Sequence, residues 1–297
     1  MEIRRRKRST KDIIFDTIIA IFLIIFVIIT LYPIINTLAV SFNDGIDSVR
    51  GGIHLWPRIF TLQNYKTVFA NQNLGQAAFI SVARTVIGTV LSVFLTAMLA
   101  YVLSRKEFIY KKQLSFIYVL TIYVSGGMIP TYILIKELHL LNNFWVYIIP
   151  GLISAFNMIV IRTFINGIPY SLIESAKIDG AGDFRIFIQI ILPLCKPVLA
   201  TVALFVAVGQ WNSWFDSMLY CSADNSLTTL QYELMKLLSS TTTQGASAEV
   251  MKNAGSIVTP TSIRAAITIV TAVPIVCLYP FLQRYFVSGL TIGGVKE

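Results

Sequence analysis

From Thr17 to Phe42 the chain runs 26 residues without an aspartate, glutamate, lysine, arginine or histidine. At 1.5 Å per residue, an α-helix over that run outspans the roughly 30 Å hydrocarbon core of a bilayer. Inside a bilayer no water satisfies the backbone, so such a run must be helical. Comparable apolar runs recur, and the hydropathy pattern places spans at about 13–41, 77–103, 113–135, 144–161, 197–219 and 264–284. Only 13% of residues are charged and 55% are hydrophobic, whereas a soluble domain carries about a quarter charged residues. The sequence therefore predicts an all-α integral membrane protein with six transmembrane helices. Residues 1–12 form a basic tail and 13–297 the membrane domain.

The first run follows Arg4-Arg5-Arg6-Lys7-Arg8 and in this resembles a signal peptide. A signal peptide's apolar region is only about 7–15 residues long, so this one reads as a retained anchor. The net charge of +9 collects at span ends, which suits an anionic inner leaflet rather than nucleic acid. Sixteen of the 24 Lys and Arg residues fall on the side of the N-terminus and seven on the other. That bias predicts both termini in the cytoplasm, with 43–76, 136–143 and 217–263 outside.

Several chemistries are disfavoured. Cys195, Cys221 and Cys277 have no metal or redox spacing, and His54 and His139 belong to no ligand pattern, so no metal site is expected. No Gly-Lys dipeptide occurs, so this chain has no phosphate-binding loop. Nucleotide, if used, is bound by another chain. Of the acidic and basic side chains only Arg84 sits in the interior of a span, away from its ends, and it is expected to snorkel outward. Intramembrane carboxylates or histidines of the kind proton- or cation-coupled transporters use are lacking, as are the groups a membrane enzyme needs. No catalytic residue is expected.

Neutral features remain. Ser125, Gly126 and Gly127, followed by Pro130, should break the third span; the break either lines a pathway or is a packing kink. Asn157 is either a ligand contact or helix–helix glue. Gln210 lies fourteen residues past Lys196, roughly 21 Å along a helix. On a continuous helix Trp211 and Trp214 share a face, as do Gln210 and Trp214, with Asn212 adjacent. Aromatic faces beside amides suit a sugar, and the same residues also suit an interfacial aromatic belt. The Ser/Thr-rich stretch Ser239–Gln244, within the outer segment 217–263, reads as a mobile segment or a solvated linker.

The inner loop at 166–196 is the most structured polar segment. Ser171 and Glu174 form a capping-box pattern at the start of a short helix ending at Ile178. Gly180 stands where a left-handed glycine would close that helix. Asp183 offers a second N-cap, and Phe184, Phe187, Ile188 and Ile191 make an amphipathic stripe before Pro193 and Pro197. The prediction is a helix–turn–helix lever.

Glu174, Ala176, Gly180, Ile190, Leu192 and Pro193 resemble the EAA-type signature of bacterial ABC importer permeases, with Ser175 in place of its middle alanine. Asp179-Gly180-Ala181 is similar to the carbohydrate-uptake branch. Ala100–Arg105, Gln283–Leu290 and Gly293–Lys296 resemble its span-two exit and C-terminus. The similarity runs over essentially the whole chain and is nearest the maltose-type permeases and an oligosaccharide-uptake subgroup. That resemblance implies one N-terminal helix before a five-helix core at about 77–284, in a bacterial cell membrane. It implies that the chain is not itself an enzyme, and that ATP and Mg are bound by a separate ATPase dimer seated on the inner loop. It further implies a second, homologous permease subunit in a heterodimer, an extracytoplasmic substrate-binding protein, and a sugar or oligosaccharide as cargo. The alternatives are an ABC permease for another small solute such as amino acids, and a passive channel or membrane enzyme.

Overall fold

The computed structural model describes residues 10–70, 73–244 and 258–294, with side chains omitted over 240–244 and 278–294. The Arg4–Arg8 run and the side chains behind the Gln283–Leu290 and Gly293–Lys296 resemblances lie outside the described residues. In chain order the helices are α1 (Thr10–Ser41), α2 (Gly45–Val49), α3 (Gln63–Phe69), α4 (Leu74–Ser104), α5 (Lys111–Tyr123) and α6 (Met128–Glu137). There follow α7 (Ala155–Asn166), α8 (Ser171–Ile178), α9 (Asp183–Ile186), a π turn at Phe187–Ile191, α10 (Leu192–Leu194) and α11 (Lys196–Asn212). The series closes with α12 (Phe215–Tyr220), α13 (Leu230–Gln244) and α14 (Pro260–Gly294). Among the described residues the only β feature is an isolated bridge, Asn43 to Phe60.

Among the described residues, three helices are long and apolar enough to cross a membrane: Thr10–Ser41, Leu74–Ser104 and Pro260–Cys277. Three bent pairs raise the number to six if each is one span. The third expected span is two helices meeting at 119° around Ser125–Gly127. Gly127 takes φ +85° there, a value open to glycine and costly for other residues. The fourth expected span begins as 3₁₀ turns at Phe144–Tyr147 and Ile149–Gly151, then bends 50° into α7. Pro150 lies in the second of these turns and lacks the N–H an α-helix would need. The Ser/Thr-rich stretch at Ser239–Gln244 continues α13 rather than forming an irregular linker.

The chain divides into two compact units. One is Met1–Asn71 with Leu238–Ala272; the other is Gln72–Leu237 with Val273–Glu297. In the first, every residue of α1 from Thr10 to Ile34 is exposed, as a lipid-facing helix requires. Beyond α1 a small polar knot forms. The buried Asn43 amide donates to Asp47 and Ser48 and accepts from the Ile59 N–H, and Asn64 donates to the carbonyls of Ser41 and Asn43 at 2.9 Å.

The second unit is built around α4. Gly88, Ser92, Ala97 and Ala100 keep its surface thin, which lets α7 and α11 pack close against it. Its C-terminal half buries Tyr101 and Leu103 against Met158 and Ile161 of α7 and Phe187 of the π turn. The Tyr101 and Phe187 rings stack at 5.5 Å.

Candidate functional site

The loop at 166–196 folds as two short helices around one turn. Pro169 presets the backbone ahead of it, and Tyr170 is already helical at φ −64°, ψ −25°. The helix therefore begins one residue earlier than the capping-box reading had it. Ser171 is the first helical residue, Tyr170 occupies the cap, and no side chain caps the start. Glu174 is exposed in the first turn, favourably placed for the helix dipole but not returning a capping bond. Asp183 is corrected in the same way: Gly182 holds the cap of α9, and Asp183 is its first residue.

The turn between them is as the sequence suggests. Gly180 has φ +79°. Its N–H donates to the Lys177 carbonyl at 3.0 Å, and the Ala181 N–H donates to the Ala176 carbonyl at 2.9 Å. This two-bond closure around a left-handed residue satisfies carbonyls that a helix end leaves free. Ile173 and Ala176 are buried and anchor α8 to the core, with Ala181, Ile190 and Leu192 packed partly against it. Ser171, Leu172, Glu174, Ser175, Ile178, Asp179 and Phe184 face outward, as does Pro193. Of the predicted stripe, Phe187 and Ile191 are buried and Ile188 is half-buried, but Phe184 is 66% exposed and Ile186 takes a buried place. The π turn at Phe187–Ile191 changes the angular spacing on which that stripe was counted.

Residues outside the predicted set hold α8 in place. One carboxylate oxygen of Glu107, in the α4–α5 loop, accepts from the Tyr170 hydroxyl at 2.7 Å and from Lys177 Nζ at 3.1 Å. A single group thus ties both ends of α8 to the exit of α4. Arg105, buried at that exit, lies 3.2 Å from Asp183 and 3.6 Å from Glu107 as ion pairs without hydrogen-bond alignment. Lys106 Nζ sits 4.1 Å from the Tyr170 ring centre. The hydrogen bond from Tyr170, reinforced by a backbone N–H and by Lys177, lowers the Glu107 pKa from 4.5 to about 2. A carboxylate depressed in the folded state contributes its stability above the ordinary pKa and loses it as pH falls through the lowered value. The clamp is therefore fully charged across the neutral range, and uptake should show no titration there that Glu107→Gln removes. Glu107→Lys should weaken uptake, and adding Lys177→Glu should recover part of it. Uptake assays on the two singles and the double check this; no recovery in the double would show that the ion pair is not what matters.

At the other end of α4 the structure corrects the reading of Arg84. It does not snorkel; only 2% of it is exposed. Its guanidinium donates to Gln210 Oε1 at 3.0 and 2.8 Å, to the two Asp216 oxygens at 3.1 and 2.5 Å, and to the Ser213 carbonyl at 3.4 Å. It also lies 4.4 Å from the Tyr147 ring centre. Asp216 accepts as well from the Ser213 hydroxyl and the Ser217 N–H. The Gln210 amide donates to the Tyr147 carbonyl at 3.2 Å. These groups border a cleft of about 310 Å³ whose walls include Tyr220 and Gly209.

Of the residues singled out as a pathway, only Gln210 lines that cleft. α11 stops at Asn212 and the chain extends through Ser213, so the shared faces expected of Trp211 with Trp214, and of Gln210 with Trp214, do not form on one helix. Trp211 lines a separate apolar groove with Val82, Val86 and Leu204. Trp214 precedes α12 and meets Phe215 edge-on at 5.8 Å. Asn212, Ser125, Gly126 and Gly127 are exposed elsewhere, and Asn157 is buried on α7. Arg84, Asp216, Tyr147 and Glu107 were missed. The signal for the first was present: a lone intramembrane charge implies a partner, and Asp216 is the acid at the end of the fifth span.

No family model matches the chain. It is 39% identical to the polygalacturonan/rhamnogalacturonan transport system permease protein YtcP of Bacillus subtilis, over 96% of this chain and 99% of that one. It is 30% identical to the arabinooligosaccharides transport system permease protein AraQ of Halalkalibacterium halodurans, over 98% and 99%. A chain from the crystal structure of a bacterial ABC transporter that imports the acidic polysaccharide alginate superposes with a TM-score of 0.84 at 29% identity, covering 95% of this chain and 99% of that one. With end-to-end similarity of this kind and the same helical architecture, the chain belongs to the permease subunits of sugar-importing bacterial ABC transporters.

Proposed function

We propose that this chain carries an oligosaccharide through the cell membrane by alternating access, driven by a separate ATPase dimer that holds ATP and Mg and seats on α8. The observation that carries the reading is the outward face of α8 and the turn after it. Leu172, Ile178 and Phe184 are 43%, 85% and 66% exposed beside Glu174 and Asp179, while the opposite face is anchored in the core. An apolar face rimmed by acids on a rigid, doubly tied helix suits a partner's cleft better than water or lipid. Force applied to α8 reaches α4 through Glu107 and through the Tyr101–Phe187 stack. Arg84 lies 21 residues before Arg105, the residue that follows the last turn of the same helix, about 31 Å along its axis. α4 would thus act as a rod joining the coupling loop to the outer polar cluster.

The remaining subunits belong to the same proposal: a second, homologous permease, and an extracytoplasmic binding protein that delivers the sugar, with both termini of this chain in the cytoplasm. A bacterial alginate ABC transporter has been solved in complex with a pentasaccharide-bound periplasmic protein, which supports the delivery step. Gln210, with Tyr147 and Tyr220 at the outer cleft, supplies the aromatic and amide groups a sugar path needs. The pathway assignment of Ser125, Gly126, Gly127, Asn157, Trp211, Asn212 and Trp214 rests on their polar or aromatic chemistry alone. Nothing in the relatives favours amino-acid cargo, a passive channel or a membrane enzyme.

Co-expression with the ATPase and cross-linking from Ile178→Cys tests the docking. A cross-link to the ATPase, and co-purification that Ile178→Asp weakens, is the expected result. A chain that purifies with no ATPase and imports sugar regardless would end the proposal.

A further inference from the structure

We infer that the tip of the first outer segment, Leu55-Trp56-Pro57, is a membrane anchor that dips into the headgroup zone of the leaflet where α1 leaves the bilayer. The inference rests on α1 crossing the membrane and is independent of cargo and of the ATPase.

The depth follows from α1. Its last charged residue before the apolar run is Asp16. Twenty residues from Thr17, about 30 Å, bring the far edge of the hydrocarbon to the level of Asn36. The helix runs on to Ser41, and the chain then turns back alongside it. Asn36 Nδ2 donates to the carbonyls of Ile53 at 2.6 Å and His54 at 3.2 Å. The Tyr32 hydroxyl and His54 Nδ1 share a hydrogen bond of 2.8 Å. Residues 53 and 54 are thereby held level with Tyr32 and Asn36, at or just inside the hydrocarbon boundary. By Phe60 the chain is back at the end of α1, where the Phe42 and Phe60 rings stack at 5.6 Å. The tip lies between these two fixed points, next to the pair held at the boundary.

Its chemistry fits that depth. Trp56 is 82% exposed and Leu55 53%. The nearby cation is drawn away from the tip: Arg58 Nε donates to Asp47 at 2.9 Å and its Nη2 to the Gly51 carbonyl at 2.6 Å. Gly51 and Gly52, both at positive φ, let the chain reverse ahead of the tip. A large apolar side chain left bare in water is unfavourable, whereas tryptophan at a membrane–water interface is stabilised. A soluble partner such as a binding protein cannot reach that level; lipid headgroups already occupy it.

The test uses the whole importer in phosphatidylcholine nanodiscs, with and without lipids brominated near the carbonyl end of the acyl chain. Subtracting the emission of Trp56→Phe from that of the parent isolates Trp56. Brominated lipid should quench most of this difference signal, and aqueous iodide should leave it nearly unchanged. Quenching by iodide but not by lipid would place the tip in water, and quenching by neither would place it under protein; either result overturns the inference. As a second measurement, a nitroxide on Leu55→Cys, in a Cys277→Ser background, should collide with oxygen and be shielded from an aqueous nickel chelate. The reverse accessibility would also overturn it.

Discussion

Asp216→Ala should destabilise the permease more than any other single change around the N-terminal half of α4. Arg84 keeps its charge and stays 2% exposed, yet loses the carboxylate that neutralises it. Breaking one side of a buried ion pair costs about 3–5 kcal/mol. Asp216 is itself 23% exposed, so water entering from its side should bring the cost to the lower end of that range. Arg84→Ala should cost less than its lost bonds suggest, because the carboxylate it abandons can hydrate. Gln210 would also lose the partner of its oxygen while its amide stays held by the Tyr147 carbonyl. The double change Arg84→Met with Asp216→Leu removes both charges and should recover much of the loss, since a well-packed apolar pair often matches a buried ion pair. Thermal unfolding of the purified importer in detergent measures all three. An Asp216→Ala variant melting with the parent would show that Arg84 is neutralised by something other than Asp216.

That pair also shows where the sequence stops being legible. The spans, the inner loop and the turn at Gly180 are written in local patterns: apolar runs, a proline before a polar helix, a glycine after it. Arg84 and Asp216 stand 132 residues apart, and no periodicity links them. Read singly, Arg84 looks like a snorkelling residue; only when it is treated as a charge needing a partner does Asp216 become a candidate. The errors at Ser171 and Asp183 are of another kind. Both residue types suit an N-cap, but Tyr170 and Gly182 occupy the caps, and a shift of one residue removes the capping geometry. The π turn at Phe187–Ile191 has no sequence signature and alters which side of the segment faces the core. The Trp211–Trp214 face was counted on a helix that ends at Asn212, where the extended Ser213 presents its carbonyl and hydroxyl to Arg84 and Asp216.

Gly180→Pro should insert normally and lose sugar uptake, leaving ATP hydrolysis uncoupled. Proline fixes φ near −65°, far from the +79° that Gly180 adopts, and removes the N–H that donates to Lys177. The turn cannot close, so α8 and α9 lose their fixed angle while the spans on either side are untouched. A graded series separates this cause from a lost contact. Apart from the adjoining residues, no atom lies within 4 Å of a Cβ built at Gly180, so the first atom of a side chain meets no obstacle and the backbone is what objects. Alanine in the left-handed region costs about 1–2 kcal/mol, and a β-branched valine costs more, whereas asparagine tolerates it. Uptake should therefore fall in the order Asn, Ala, Val, Pro, with protein in the membrane unchanged across the series. If the losses instead followed side-chain volume, with asparagine as damaging as valine, the glycine would be making room for a neighbouring subunit rather than shaping the turn. Wild-type uptake in Gly180→Pro would remove the lever altogether.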